Sequence, residues 1–360
     1  MKPVRILMVG PSLEILGGQS IQAARLLEHL RKEPGIEVDF LPVNPRLPGP
    51  LRRLQRIKYL RTLATEAAYF AALLVRVPQY DIIHAFSAGY WSFLLAPAPA
   101  LLLAAMLHKK TILNYHDGRL EDHLRSFPRA LRLMRIAHRT VAPSQFLVDV
   151  FTRFGLCARP IPNIVDTTEF RYRERARICP VFLHNRAMDP LYNVPCSLRA
   201  FGIVQTKHPN ARLILTNDGP LRPRLEAMVR KLGLHNVVFL GPVSQQRMAE
   251  LHGEAGIYIT SPDIDNMPGS VLECFASGLP VISTGVGGIP YIIEHGRTGL
   301  LAAPGDHRAM ATAAMRLLEE GGLALRLARN ARAECDRYRG SLVASQWADL
   351  YRELNSAAPS

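Results

Sequence analysis

The sequence predicts an α/β protein made of two doubly wound parallel-sheet domains. Two series of short, β-branched apolar runs point to this, one in each half of the 360 residues. Longer stretches of helical periodicity separate the runs. Strands that are apolar throughout, rather than at alternate positions, belong to sheets covered on both faces. The length suits two domains of roughly 150 residues each.

Taken in order, the first series reads VRILMVG, VDFLPV, DIIHAF, TILNYH, TVAPS and a short ARPIPNI. Helical patterns such as SIQAARLLEHLRK and QFLVDVFTRFG lie between them. The second series reads PVFLHN, ARLILTND, NVVFLG, GIYITS, PVIST and GLLAA. The predicted domains are 1–165 and 166–345. The arginine-rich stretch Asp166 to Cys179 serves as linker, and residues 346–360 form a closing helix and tail drawn as crossing back to the first domain. Ligands of such sheets bind at the carboxyl ends of the strands. Two facing domains would then enclose one interdomain cleft.

Composition narrows the class. With 48% hydrophobic and 21% charged residues, the chain reads as a soluble globular protein with a full core. Residues Ala85 to Leu107 carry no charge, but Pro97 and Pro99 interrupt them. The reading is a helix packed beside a sheet, not a membrane span. Five scattered cysteines without a C-x-x-C pair argue for a reducing compartment and against a zinc site. The N-terminal apolar run is too short for a secretion signal. These features predict a cytoplasmic location.

The net charge of +14 is uneven: +11 falls on residues 1–165 and +3 on residues 166–360. Within the first part, residues 51–61 (LRRLQRIKYLR) hold five cations and no anion. An approximate helical stripe of Leu51, Leu54, Ile57, Tyr59 and Leu60 accompanies them. Such a segment suits the anionic inner face of a membrane, and equally a solvated helix face. No aromatic interleaving or helix-turn-helix pattern supports nucleic acid as a partner.

The segment SPDIDNMPGSVLECFASGLPVISTGVGGIP, residues 261–290, carries most of the chemistry. Pro268, Gly269 and Ser270 mark a helix start, the helix runs on from Val271 to stop at Gly278, and Met267 to Val271 are candidate donor contacts. A helix N-terminus offers backbone N–H groups and a positive dipole end to a phosphate. Asp265 and Glu273 flank it, as carboxylates for sugar hydroxyls would. Ser270-x-x-Glu273 also fits a capping box. The glycine turn Gly285, Gly287 and Gly288 follows the next strand. Elsewhere, Arg186 after Asn185 presents a guanidinium at a strand end, suited to phosphate. Gly17-Gly18 precede a helix, Asp218-Gly219-Pro220 form a strand-to-helix turn, and Val243 sits in a loop after a strand. His116 ends a strand, whereas His123 and His138 read as surface residues.

These motifs resemble the family 4 retaining glycosyltransferases, of the GT-B type. The resemblance spans nearly the whole chain and is most specific over residues 210–305. It implies a nucleoside diphosphate sugar as donor, an acceptor hydroxyl of unread identity, retention of anomeric configuration, and neither cofactor nor metal. It further implies that His116 and Asp265 contact the transferred sugar, that Glu273 holds the ribose, and that the loop at Val243 offers backbone to the base. Gly17-Gly18 would meet the diphosphate or the acceptor.

The chain departs from the family twice. Asp-x7-Glu stands for Glu-x7-Glu. Leu191 and Tyr192 stand where a diphosphate-binding lysine is usual, five or six positions after the arginine. Asp263-Ile264-Asp265, the nearest thing to a metal motif, lies inside the donor segment. A non-catalytic nucleotide-sugar-binding protein and a GT-B enzyme of another reaction type, such as a phosphorylase or epimerase, remain alternatives.

Overall fold

The computed structural model describes residues 3–14, 17–47 and 58–356. The chain divides into two compact units. One comprises Met1–Ile164 with Gly340–Ser360, the other Val165–Arg339.

The first unit holds strands β1 (Val4–Gly10), β2 (Ile36–Pro42), β3 (Ile82–Ser87), β4 (Lys110–Tyr115), β5 (Arg139–Ala142) and β6 (Ala158–Pro160). They form one parallel sheet in the order β2-β1-β3-β4-β5-β6. Helices α1 (Gly18–Leu30), α2 (Lys58–Arg76), α3 (Tyr90–Leu95), α4 (Pro97–Met106), α5 (Leu120–Ser126), α6 (Pro128–Met134) and α7 (Gln145–Arg153) connect the strands. Alternation along β1 shows why its sequence is apolar throughout. Ile6 and Met8 pack against Ala23, Leu26 and Leu30 of α1, while Leu7 and Val9 pack on the other face against Tyr69 and Leu73 of α2 and Ala100 and Ala104 of α4.

The second unit repeats the plan. Strands β7 (Val181–His184), β8 (Arg212–Thr216), β9 (Val237–Gly241), β10 (Ile257–Ile259), β11 (Val281–Thr284) and β12 (Leu300–Ala302) form a parallel sheet in the order β12-β11-β10-β7-β8-β9. This is the doubly wound Rossmann order. Around it lie α8 (Val194–Lys207), α9 (Arg222–Lys231), α10 (Gln245–Glu254), α11 (Gly269–Ser277), α12 (His307–Glu319) and α13 (Leu323–Cys335). Phe182, Ile257 and Ile259 face α8 and α12, and Leu183 and Tyr258 face α11. The last helix, α14 (Gly340–Ser356), belongs to the first unit, where Trp347 and Tyr351 join the α1 face of the sheet. It starts at Gly340 rather than at 346. A Cβ at Gly340 would collide with the His29 ring, so the close packing begins there.

Several sequence expectations need correction. Residues 85–107 form the end of β3 and two short helices split at Ala96, because Pro97 opens α4. Among the described residues no helix is long and apolar enough to cross a membrane. The stretch Asp166 to Cys179 is irregular but anchored to the second unit. Buried Arg175 donates to the carbonyls of Ala255, Ser277 and Gly278 at 3.1, 2.9 and 2.8 Å, and to that of His252. His123 is fully buried, bonded to the Tyr115 hydroxyl at 2.9 Å. His138 is half-buried and bonded to the Thr111 hydroxyl at 2.8 Å. All five cysteines are free thiols. Residues 51–57 of the cationic segment lie outside the described residues.

Candidate functional site

In the second sheet the strand order reverses between β7 and β10, and a doubly wound sheet opens its ligand crevice at such a point. The loops after these two strands meet there. Arg186 follows β7, and its Nη2 donates to Asp265 Oδ2, after β10, at 2.7 Å. Its Nη1 donates to Ser270 Oγ at 3.3 Å, on the first turn of α11. The Arg186 guanidinium lies over the Tyr192 ring, 4.2 Å from its centroid. Burial opposes the charge on Arg186, but Asp265 outweighs it and raises the pKa above its ordinary value. The Arg186 Nε is buried and bonds no protein atom.

The loops are fixed from below. Tyr258, buried in β10, donates its hydroxyl to Asn185 Oδ1 at 2.7 Å, and its oxygen accepts from the Ser270 hydroxyl at 3.0 Å. Asn185 thereby acts as a structural tie, and its carbonyl accepts from Asn217 Nδ2 at 2.7 Å. Turn Pro190–Tyr192 is held against the other loop, since Asp263 N donates to the Leu191 carbonyl at 2.9 Å and Asn193 Nδ2 to Asp263 Oδ1 at 2.9 Å. The Asp263 carboxylate is engaged in this way rather than beside Asp265. Among the described residues no three His, Cys, Asp or Glu side chains cluster as metal ligands.

Helix α11 starts two residues earlier than the sequence predicts. Pro268 is its N-cap, and no side chain caps the end. Ser270 is therefore already inside the helix, and its hydroxyl is turned to Arg186 and Tyr258. It does not cap, so the capping-box reading of Ser270 and Glu273 is withdrawn. Val271 is buried in the core, Met267 and Pro268 are buried, and Gly269 and Glu273 are half-buried. The glycine turn after β11 supports the same loop. A Cβ on Gly287 would fall on the Asp265 carbonyl oxygen, and one on Gly288 on that of Asn266. Gly288 N donates to the Asp265 carbonyl at 3.0 Å. These glycines serve close backbone packing under Asp265.

On the other side of β7, Gly219 packs against the Met188 carbonyl with no room for a Cβ. Asp218 is exposed, accepting from Gly219 N at 2.8 Å and pairing with Arg222 at 3.5 Å. Val243, half-buried after β9, packs on the core beside α10.

In the first unit the strand order reverses between β1 and β3. The Ser87 carbonyl at the end of β3 accepts from Gln19 Nε2 at 3.1 Å and from His116 N at 2.9 Å. This draws the start of α1, with Gly17 and Gly18, toward His116. A Cβ on either glycine would meet nothing, and Gly17 is extended, so neither packing nor backbone demands glycine there. His116 stacks on Phe86 at 5.5 Å and lines a hollow with Gln22, Asn114, Asn163 and Trp347. Burial pushes its pKa down to about 4, so the imidazole is neutral near pH 7.

Sequence reasoning missed Tyr192 and Tyr258 as members of the site. Tyr258 meets the site through pairing across the sheet, which no local pattern marks, and Tyr192, noted only for standing at the usual lysine position, folds back on Arg186 within the loop after β7. His184, buried beneath Arg186 with its Nδ1 3.4 Å from Arg186 N, was also missed. Burial, with the Arg186 charge adding, lowers its pKa to about 3.

Known families match both units. "Glycosyltransferase Family 4" matches residues 16–169, and "Glycosyl transferases group 1" matches residues 175–334. A sulfoquinovosyl transferase of Arabidopsis thaliana is 26% identical over 94% of this chain and 71% of its own length. An exopolysaccharide phosphotransferase of Streptomyces coelicolor is 34% identical over 48% of this chain, and the match spans 18% of that relative. Among solved structures, Anabaena HepE in complex with UDP and glucose superposes with a TM-score of 0.75 at 19% identity, covering 97% of this chain and 99% of that one. With both units matched and a doubly wound parallel sheet in each, the chain belongs to the family 4 glycosyltransferases of GT-B fold.

Proposed function

We propose that the chain is a retaining glycosyltransferase that moves a sugar from a nucleoside diphosphate donor to an acceptor hydroxyl. One observation carries this reading: Arg186, Asp265 and the start of α11, uncapped by any side chain, converge at the point where the second sheet reverses its order. A guanidinium and a helix N-terminus together stabilise a diphosphate leaving group. Glu273, half-buried on the first turns of α11, takes the ribose hydroxyls, and Asp265 takes the sugar. The backbone near Val243 meets the base, with Asp218 and Gly219 at the rim. Neutral His116, beside Gly17 and Gly18, donates or accepts a hydrogen bond at the transferred sugar.

In the proposed step the bond from the anomeric carbon to the β-phosphate oxygen breaks and a bond to the acceptor oxygen forms on the same face. The acceptor proton passes to the departing phosphate oxygen. No metal is needed, because Arg186 and α11 supply the countercharge. We place the enzyme in the cytoplasm, at the inner face of a membrane, on the strength of the five cations in residues 51–61.

HepE, of the same fold, holds UDP and glucose, which makes UDP-sugars the first probes. A thermal-shift panel of nucleoside diphosphate sugars identifies the donor, since a ligand of the folded state raises its melting temperature. Proton NMR of the product then reads the anomeric configuration, and inversion would overturn the retaining assignment. Turnover should persist in EDTA.

A further inference from the structure

We propose that the outer faces of α2 and α4, with α3 beside them, form a docking surface for an anionic lipid bilayer. The inference extends the membrane part of the reading above, and it stands independently of the donor site.

The first observation is that α2 is apolar on both sides. Its inner side places Tyr69 and Leu73 in the core against Leu7, Val9 and Ile83. Its outer side carries Leu60, Leu63, Phe70, Leu74 and Val75, which are 43–70% exposed. With exposed Ala67 they follow one helical stripe at 60, 63, 67, 70 and 74. A surface helix normally turns polar residues outward, whereas this one exposes a row of large apolar side chains on the surface of its unit.

The second observation is that the neighbouring helices continue the face. Ala100 and Ala104 of α4 share a core cluster with Tyr69 and Leu73, so α2 and α4 cover the same side of the sheet. Away from that core α4 exposes Leu102, Met106 and, just beyond it, Leu107, with Met106 at 76%. Trp91 and Leu95 of α3 are exposed as well, Trp91 at 76%. The Tyr69 hydroxyl donates to the Ala96 carbonyl at 2.7 Å and ties α2 to the junction of α3 and α4. A contiguous apolar patch of this kind marks an interaction surface.

Charge selects the occupant. Helices α3 and α4 carry no charged residue, and the only acid on α2 is Glu66, which is half-buried. Arg61 is exposed beside the stripe, and His108, Lys109 and Lys110 follow α4. The sequence just before α2 adds Arg52, Arg53 and Arg56. An apolar face rimmed by cations, with an exposed tryptophan, matches an anionic membrane interface. A second copy of the chain would set these cations against themselves across a two-fold axis.

The test uses the full chain with phosphatidylcholine vesicles, with and without phosphatidylglycerol. The protein should co-sediment with the anionic vesicles and retain part of its binding at high salt, because the apolar contact is not screened. The chain has two tryptophans, and Trp347 is buried. Vesicles should therefore shift the emission of Trp91 to the blue, and Trp91→Phe should remove that shift. A Leu63→Ser, Trp91→Ser, Met106→Ser variant should bind at least about tenfold more weakly. Its circular dichroism and nucleotide-induced thermal shift should be unchanged, which separates this surface from the donor site. The inference is overturned if the parent protein fails to sediment, if the triple variant binds equally well, or if the parent is a dimer that the variant converts to monomer.

Discussion

Arg186 and Asp265, 79 positions apart in sequence, form an ion pair of 2.7 Å with side chains only 15% and 13% exposed. Without ligand, the cation proposed for the diphosphate is thus held by the carboxylate proposed for the sugar. A donor would divide the pair, taking Arg186 by its phosphates and Asp265 by its sugar hydroxyls.

Asp265→Asn should lower transfer at least about tenfold. Affinity for the nucleoside diphosphate alone should hold or tighten, because Arg186 loses a competing anion. Stability should fall by about 1–3 kcal/mol as a half-buried charge loses its partner. Calorimetric titration beside a transfer assay decides, and a parallel loss of diphosphate affinity would place Asp265 on the phosphates or in the fold alone.

Tyr192 stands where relatives were expected to carry a lysine, and its ring supports the Arg186 guanidinium. A cation–π contact at a part-exposed site is worth about 0.5–1 kcal/mol. Tyr192→Ala should therefore weaken diphosphate binding about two- to fivefold. Tyr192→Phe should retain it. If Phe and Ala behave alike, the ring does not orient Arg186.

Gly288 and Gly285 lie three positions apart and make a paired test. A Cβ on Gly288 collides with the Asn266 carbonyl, while one on Gly285 has no neighbour nearer than 3.8 Å. Gly288→Ala should cost about 1–3 kcal/mol and impair turnover by displacing the Asp265 loop. Gly285→Ala should stay within about 0.5 kcal/mol of the parent. Equal melting temperatures for the two variants would remove the glycine turn as the support of Asp265.

Much of the fold was legible in the sequence, because a parallel strand buried on both faces reads as an unbroken apolar run. Each of the twelve runs overlaps a strand. Helix α11 was legible too, since Pro268, Gly269 and Gly278 mark its ends locally. The Arg186–Asp265 pair and the Tyr258 tie were not, because they depend on which loops the sheet order brings together, and the Arg186–Tyr192 stack depends on how the single loop after β7 turns. His123 and His138 were misread as surface residues for the same reason, as their Tyr115 and Thr111 partners come from β4. Ser270 was misplaced because a two-residue shift in the helix start turns a cap into an interior position.

Acid should destabilise the protein through its buried histidines. Burial lowers the pKa of His84, His184 and His252 to about 3 and of His116 to about 4, from an ordinary 6.5. Below pH 6.5 the unfolded chain binds protons that the folded protein refuses, so stability is full above that pH. It falls as pH drops toward 4, by up to about 1.4 kcal/mol per pH unit for each histidine. Urea unfolding at pH 7.5, 6 and 5 reads this directly. A midpoint that is constant or rises toward pH 5 would contradict it. Across this range His116 stays neutral and should contribute no ionisation to the pH–rate profile.

Titration calorimetry on the parent and on Glu273→Ala tests the central claim most directly, using the best nucleoside diphosphate from a thermal-shift panel led by UDP. Ser270 does not cap α11, so the substitution removes no capping box, and stability should fall by less than binding does. Charge-assisted bonds to ribose are worth about 1.5–3 kcal/mol. The account predicts affinity about tenfold to a hundredfold weaker in the variant. A parent that binds no nucleoside diphosphate, or a variant that binds as tightly as the parent, would contradict it.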